Sequence, residues 1–226
     1  MTASRLRAGS PRTPAAGSRP ARGLARAAAT RALCAYAASM SRGDVTAAAA
    51  ALVRARRAGC ARRAAEETAL MLMLYAGFPG ALEGLRVLNA TWPGTARRTH
   101  EGTPALWRRR GLVLCGRVYG RAIARLLPAV RALHPDLEVW MVEHGYGRVL
   151  ARPGLGARER ELVTVSALAA LGWERQLVSH VLGARRVGAS EAQVREALDI
   201  GSVAGGPRET KLAERTWERV GRAGRG

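Results

Sequence analysis

Lysine is nearly missing from this 226-residue chain: Lys211 stands alone, so the excess of 37 basic over 17 acidic residues is carried by arginine. Aromatics are also scarce, at 4%, and do not alternate with the basic positions as a base-stacking platform requires. A formal charge of +20 would otherwise point to phosphate, because basic side chains displace counterions from nucleic acid. A composition rich in Ala, Arg, Gly and Pro with a single lysine reads instead as a solvated arginine surface, and nucleic acid is set aside as a partner.

Cysteine is equally thin. Cys34, Cys60 and Cys115 lie far apart and form no CxxC, which excludes a disulfide framework and suits a reducing, cytoplasmic setting. No apolar run approaches the roughly 18 residues of a membrane span; the longest, Ala69 to Phe78, has the length of a buried helix. No His, Cys or acidic residues recur at metal-ligand spacing, and no glycine-rich phosphate loop follows a strand, so neither metal nor cofactor is expected.

What is abundant is helix material. The hydrophobic fraction of 48% is mostly Ala, Leu and Val, with few β-branched runs, which predicts an all-α chain of closely packed helices. Residues 1–23, free of acids and of apolar period, read as a disordered Arg/Pro/Gly-rich arm. Helices are expected at about 24–41, 44–58, 62–75, 79–90, 104–126, 157–171, 173–187, 190–203 and 208–221. Asp44 and Ser190 are natural N-caps, the latter with Gln193 three residues on, and Gly59 and Gly188 natural helix ends. The segment 128–156, broken by Pro135, Gly145, Gly147, Pro153 and Gly154, reads as a long connection with at most one short helix.

An internal repeat organises the rest. Ala55-Arg56-Arg57-Ala58-Gly59 returns as Ala184-Arg185-Arg186-Val187-Gly188. At the same offset Arg31, Leu33 and Glu67 fall on Arg160, Leu162 and Glu196, and Ala76-Gly77-Phe78-Pro79 resembles Ala204-Gly205-Gly206-Pro207. This divides the chain into a first helical unit at 24–127 and a second at 157–222.

The second unit carries RERELVTVSALAALGWERQLVSHVLGARRVGAS, from Arg158 to Ser190. This stretch, with LYAGFPGALEGL in the first unit, resembles the carboxymuconolactone decarboxylase-like family, whose superfamily includes AhpD-like alkylhydroperoxidases. The resemblance implies a two-unit AhpD-like helical fold and lyase-type chemistry on a small carboxylated or lactone substrate. It also implies ring assembly, as a homotrimer or a hexamer. The peroxidase signature places a glutamate at Glu161 and a histidine at His180, but its two cysteine positions fall on Trp173 and Gln176. Thiol peroxidase chemistry needs a low-pKa sulfur and a resolving partner, so that branch is disfavoured.

What remains is a proton-handling pair. Glu161 and His180 lie on consecutive helices joined at Gly172, and a histidine changes charge near neutrality. His180 would act as general acid with Glu161 orienting it, while Arg160, Arg175 or Arg152 held a substrate carboxylate bidentately. His144 and Tyr146, in the glycine-rich connection, could reach the mouth of the pocket, with Trp173 and Gln176 beside it. His134 and His100 read as turn and loop residues, and Tyr75 as a core or interface aromatic. The bland alternatives are a helix-start acid for Glu161 and a core histidine for His180, in a ligand-binding member of the fold without catalysis. In the first unit the equivalent positions are Ala32 and Ala51, so that copy is expected to be scaffold.

Overall fold

The computed structural model describes residues 19–99 and 102–223, and every regular element among them is helical. His100, the greater part of the N-terminal arm and the Gly224-Arg225-Gly226 end lie outside the described residues. In chain order the α-helices are α1 (Arg19–Ser41), α2 (Val45–Arg57), α3 (Arg62–Met71), α4 (Gly77–Thr91), α5 (Pro104–Tyr119), α6 (Ile123–Leu133) and α7 (Pro135–Trp140). A π-helical segment, Met141–Leu150, follows, and then α8 (Ala157–Leu171), α9 (Glu174–Arg186), α10 (Glu191–Gly205) and α11 (Pro207–Ala223). No helix among the described residues is long and apolar enough to cross a membrane.

The repeat is visible in these bounds. Helices α2 and α9 start at 45 and 174 and end at 57 and 186, and α3 and α10 start at 62 and 191, the same offset throughout. The punctuation is local chemistry. Asp44 accepts from the Ala47 amide at 2.9 Å, and Ser190 and Gln193 form a reciprocal capping box. Two helical clusters result, α1–α4 and α8–α11.

Helix α8 is the axis of the fold. Every residue from Glu159 to Ala170 is buried, so it has no solvent face. It packs on α1, where Ser166 Oγ donates to the Cys34 carbonyl at 3.1 Å, and on α10, which approaches through Gly201. The last helix is held by Trp217, which lies between the guanidinium groups of Arg185 and Arg195 at 5.1 and 5.6 Å.

The segment 128–156 departs from the expected connection: most of it is helical. Pro128 sits inside α6, and Ala124, whose carbonyl a residue at 128 would normally bond, is exposed and can turn to water. His134 then caps α7 by accepting from the Asp136 amide at 3.1 Å. The glycines read as loop punctuation serve close approach instead. A Cβ on Gly147 would lie 1.9 Å from the Trp107 carbonyl oxygen, and one on Gly111 would lie 2.0 Å from that of Val142. Helix α5 and the π segment therefore meet backbone to backbone, which only glycine permits.

Candidate functional site

Three buried charged residues, Glu159, Arg160 and Glu161, enter α8 with its first turn and a half, and their partners divide the site from the scaffold. Glu159 is paired with Arg26 and Arg158, each at 2.8 Å. Arg160 donates to Glu67 at 3.0 Å and to the Arg152 and Leu155 carbonyls at 2.8 and 3.1 Å. Glu67, fully buried on α3, also takes Arg152 at 3.0 Å and Arg63 at 2.7 Å. Arg152 and Arg160 thus brace α3, α8 and the turn between the π segment and α8. They do not line the pocket described below, where a carboxylate clamp was expected of them.

Glu161 points the other way. Its Oε2 lies 2.9 Å from His180 Nδ1, with the glutamate 2% and the histidine 8% exposed. The hairpin that brings them together turns at Gly172, whose φ of 72° is left-handed. One turn beyond His180, Gly183 leaves room for the carboxylate: a Cβ there would meet Glu161 Oε2 at 2.8 Å and Val118 Cγ1 at 2.7 Å. An ionised Glu161 can only accept, so beside it the neutral imidazole is the tautomer with its proton on Nδ1 and its lone pair on Nε2.

His180 lines a pocket of about 420 Å³ between α5, the π segment, α8 and α9. Of the expected residues, His144, Tyr146 and Gln176 line it with His180; Trp173 and Arg175 do not, and lie exposed at the start of α9. The π geometry sets the wall from 141 to 150. Its bonds run from residue i to i+5, as from Ala151 N to the Tyr146 carbonyl at 2.9 Å, so lining residues recur in pairs five apart: Met141 with Tyr146, and Gly145 with Leu150.

Tyr119 and Tyr75 complete the polar lining. The Tyr146 hydroxyl donates to that of Tyr119 at 2.6 Å, and the Tyr119 ring stands edge-on to His180 with centroids 6.2 Å apart. Tyr75 and Thr164 hydroxyls are 2.6 Å apart, and Thr164 spends its own proton on the Arg160 carbonyl at 2.8 Å, so Tyr75 is the donor. Burial, first of all, raises the pKa of all three tyrosines, and the negative charge of Glu161 adds to the rise in each. Cys115 is pushed up to about 12 by the same two causes. The rest of the lining is apolar, including Leu168, Met73 and Trp140, and no lysine or arginine belongs to it. No cluster of three or more metal-ligating side chains occurs among the described residues.

Tyr119 was not foreseen, since it lies on α5 outside the motif stretches, and Tyr75 was read as packing. The one sequence signal for both is their rarity, as the chain has 4 tyrosines and 3 of them face this pocket.

No curated protein matches the chain. The model of the carboxymuconolactone decarboxylase family matches residues 135–216, from the start of α7 into α11, a stretch that includes Tyr146, Glu161 and His180. A domain of the carboxymuconolactone decarboxylase family is therefore present at residues 135–216.

Proposed function

We propose that the protein is a general acid–base catalyst that moves a proton at a carbon atom of a small molecule, with His180 as the catalytic residue and Glu161 as its positioning partner. The observation that carries this is the 2.9 Å bond between them, on a histidine whose ring lines the pocket. The bond fixes the tautomer and ring orientation and stabilises the imidazolium formed when Nε2 takes a proton, the usual division of labour in a carboxylate–histidine pair.

The family match at 135–216 lends a lyase-type reading. Loss of CO₂ from a carboxylated lactone leaves a carbanion, and protonated His180 would deliver the proton that quenches it. The apolar lining supports a small organic substrate, as such sites combine hydrophobic walls with a few placed polar groups.

The test is incubation of the protein in D₂O with a panel of enolisable ketones and carboxylated lactones, with deuterium uptake at carbon and CO₂ release followed by NMR. The expected result is turnover of at least one panel member, with His180→Gln slower by about 10²–10⁴ and its far-ultraviolet circular dichroism unchanged. Equal rates in the variant and the parent protein overturn the assignment.

A further inference from the structure

The pocket contains a hydrogen-bond donor, the Tyr119 hydroxyl, whose proton meets no acceptor among the described residues. Tyr146 donates to Tyr119 at 2.6 Å, so the Tyr119 oxygen is already an acceptor. Among the described residues no acceptor takes the Tyr119 proton. Both rings line the same pocket as His180, and the two phenols stand edge to face with centroids 5.7 Å apart. A phenol that accepts one bond becomes a stronger donor in the next, because hydrogen bonds in a chain polarise one another. Tyr119 is thus built as the terminal donor of a two-phenol chain, facing a cavity that also contains the histidine.

The electrostatics select what that donor meets. The Glu161 carboxylate stands behind the pocket, close enough to hold the Tyr75, Tyr119 and Tyr146 protons more tightly. No guanidinium or ammonium group belongs to the lining, and Arg152 and Arg160 are engaged by Glu67. A ground-state carboxylate entering this space while His180 is neutral, the form that abstracts a proton, would lose its water beside a like charge without a guanidinium or ammonium group to receive it. A neutral molecule bears no such penalty. The only negative charge it places in the pocket is one that develops during reaction, and charge of that kind is what a preorganised donor stabilises.

We infer that Tyr119, with Tyr146 behind it, is the oxyanion donor of this site, and that of the two reactions proposed above the site is built for proton transfer on a neutral enolisable carbonyl compound, small enough for a pocket of about 420 Å³, and not for loss of CO₂ from a carboxylate. The inference rests on His180 acting as the proton carrier. In the step, neutral His180 takes the proton from the carbon next to the carbonyl through Nε2. The C–H electron pair becomes a carbon–carbon π bond, and the carbonyl π pair moves onto oxygen, where the Tyr119 hydroxyl holds it. Imidazolium then returns the proton to the same carbon, or to a conjugated one, which regenerates His180 and leaves an isomer. No oxidant or reductant enters. Tyr119 touches the reacting oxygen and is catalytic in this scheme; Tyr146 acts through it and is a positioning residue.

The test uses two probes on the full-length protein. The bicyclic ketone 2-tetralone in D₂O reads proton abstraction by NMR. For recognition, 2-naphthol imitates the enol form, with 2-naphthoate and 2-methylnaphthalene as the charged and hydroxyl-free comparisons, all titrated calorimetrically. The expected order is naphthol at least tenfold tighter than naphthoate. Tyr119→Phe should cut tetralone kcat about 10²-fold with little change in KM, since one oxyanion donor carries roughly that much. It should also weaken naphthol while leaving methylnaphthalene unchanged, which shows that the pocket is intact. Tyr146→Phe should give the same pattern at about a tenth of the effect. Naphthoate binding as tightly as naphthol, or Tyr119→Phe leaving naphthol affinity and exchange unaltered, overturns the inference, as does a parent protein that binds naphthol but exchanges no tetralone proton. His180→Gln separates the two readings: it should abolish exchange yet keep naphthol affinity. Exchange that survives His180→Gln but not Tyr119→Phe rejects the histidine as proton carrier.

Discussion

Gly183 and Glu161 are held so close that a methyl group on the glycine would sit 2.8 Å from the carboxylate Oε2. The same methyl would press on Val118 Cγ1 at 2.7 Å, so it has no free side to move toward. Gly183→Ala therefore sets two effects against each other. Alanine favours the helix by about 0.5–1 kcal/mol, while overpacking a fixed site costs about 1–3 kcal/mol. The expected net is a loss of about 1–2 kcal/mol in urea unfolding, since the packing effect outweighs the propensity gain. Displacement of the carboxylate from His180 should lower kcat for tetralone exchange by more than tenfold with KM little changed, because misplacement of about 1 Å is costly to catalysis. An unchanged kcat would show that the bond between Glu161 and His180 does not position the base.

The second prediction concerns Glu67. It neutralises Arg152, Arg160 and Arg63 from a fully buried position, and Arg160 is 2% exposed. Glu67→Gln keeps the shape of the side chain and removes its charge, leaving Arg160 buried without a counterion. Breaking a buried pair in this way costs about 3–5 kcal/mol. Urea unfolding should show a loss of that order. A change below about 0.5 kcal/mol, the level of an ordinary surface substitution, would mean that water already screens the cluster.

These two residues mark what was legible in the sequence. Helix caps at Asp44 and Ser190 and the repeat that pairs α2 with α9 could be read directly, because they depend on neighbours a few residues away. That Glu161 and His180 stand on neighbouring helices of one hairpin was also legible, because both flank the glycine turn, but their contact was not, since it depends on the rotation of each helix about its axis. The fate of Arg152 and Arg160 was not: their counterion lies 85 and 93 residues away, and nothing local distinguishes a bracing arginine from a binding one. The π segment was missed for a different reason. Gly145 and Gly147 carry the usual signature of a loop, and only the backbone of α5, packed against Gly147, shows that they mark a close crossing. Tyr119 enters the site from that same helix, so missing one meant missing the other.

The third prediction follows from the tyrosines. The chain has 4, and burial raises the pKa of Tyr36, Tyr75, Tyr119 and Tyr146 alike. A raised folded pKa means that the unfolded chain releases its protons first. Stability is thus complete below pH about 10 as far as these groups are concerned and falls as pH climbs from there toward the folded values, by about 1.4 kcal/mol per pH unit for each tyrosine. Tyrosinate absorbance at 295 nm should therefore stay flat through neutral and mildly alkaline pH. It should then rise at the same midpoint at which helical circular dichroism is lost. A tyrosinate signal that appears while the helices remain intact would show that one of these phenols is open to solvent.

The fourth prediction separates this site from thiol chemistry. Burial is the leading cause in all three cysteines: it pushes Cys34 and Cys115 up to about 12 and raises Cys60 as well. The nucleophile of a thiol peroxidase is a thiolate, and a raised pKa removes it at neutral pH. The thiol whose pKa the Glu161 charge raises is Cys115, and its proton is held more tightly, the opposite of what a peroxidatic cysteine requires. Titration with Ellman's reagent at pH 7.5 should find Cys60, the half-buried thiol, reacting slowly, and Cys34 and Cys115 silent until denaturant exposes all three. Replacing Cys115 by alanine should leave tetralone exchange within about threefold of the parent rate, as expected of a core substitution that touches no reacting atom. Rapid modification of Cys115 in the folded protein, or peroxide turnover lost with that thiol, would return sulfur to the mechanism and displace the histidine from its centre.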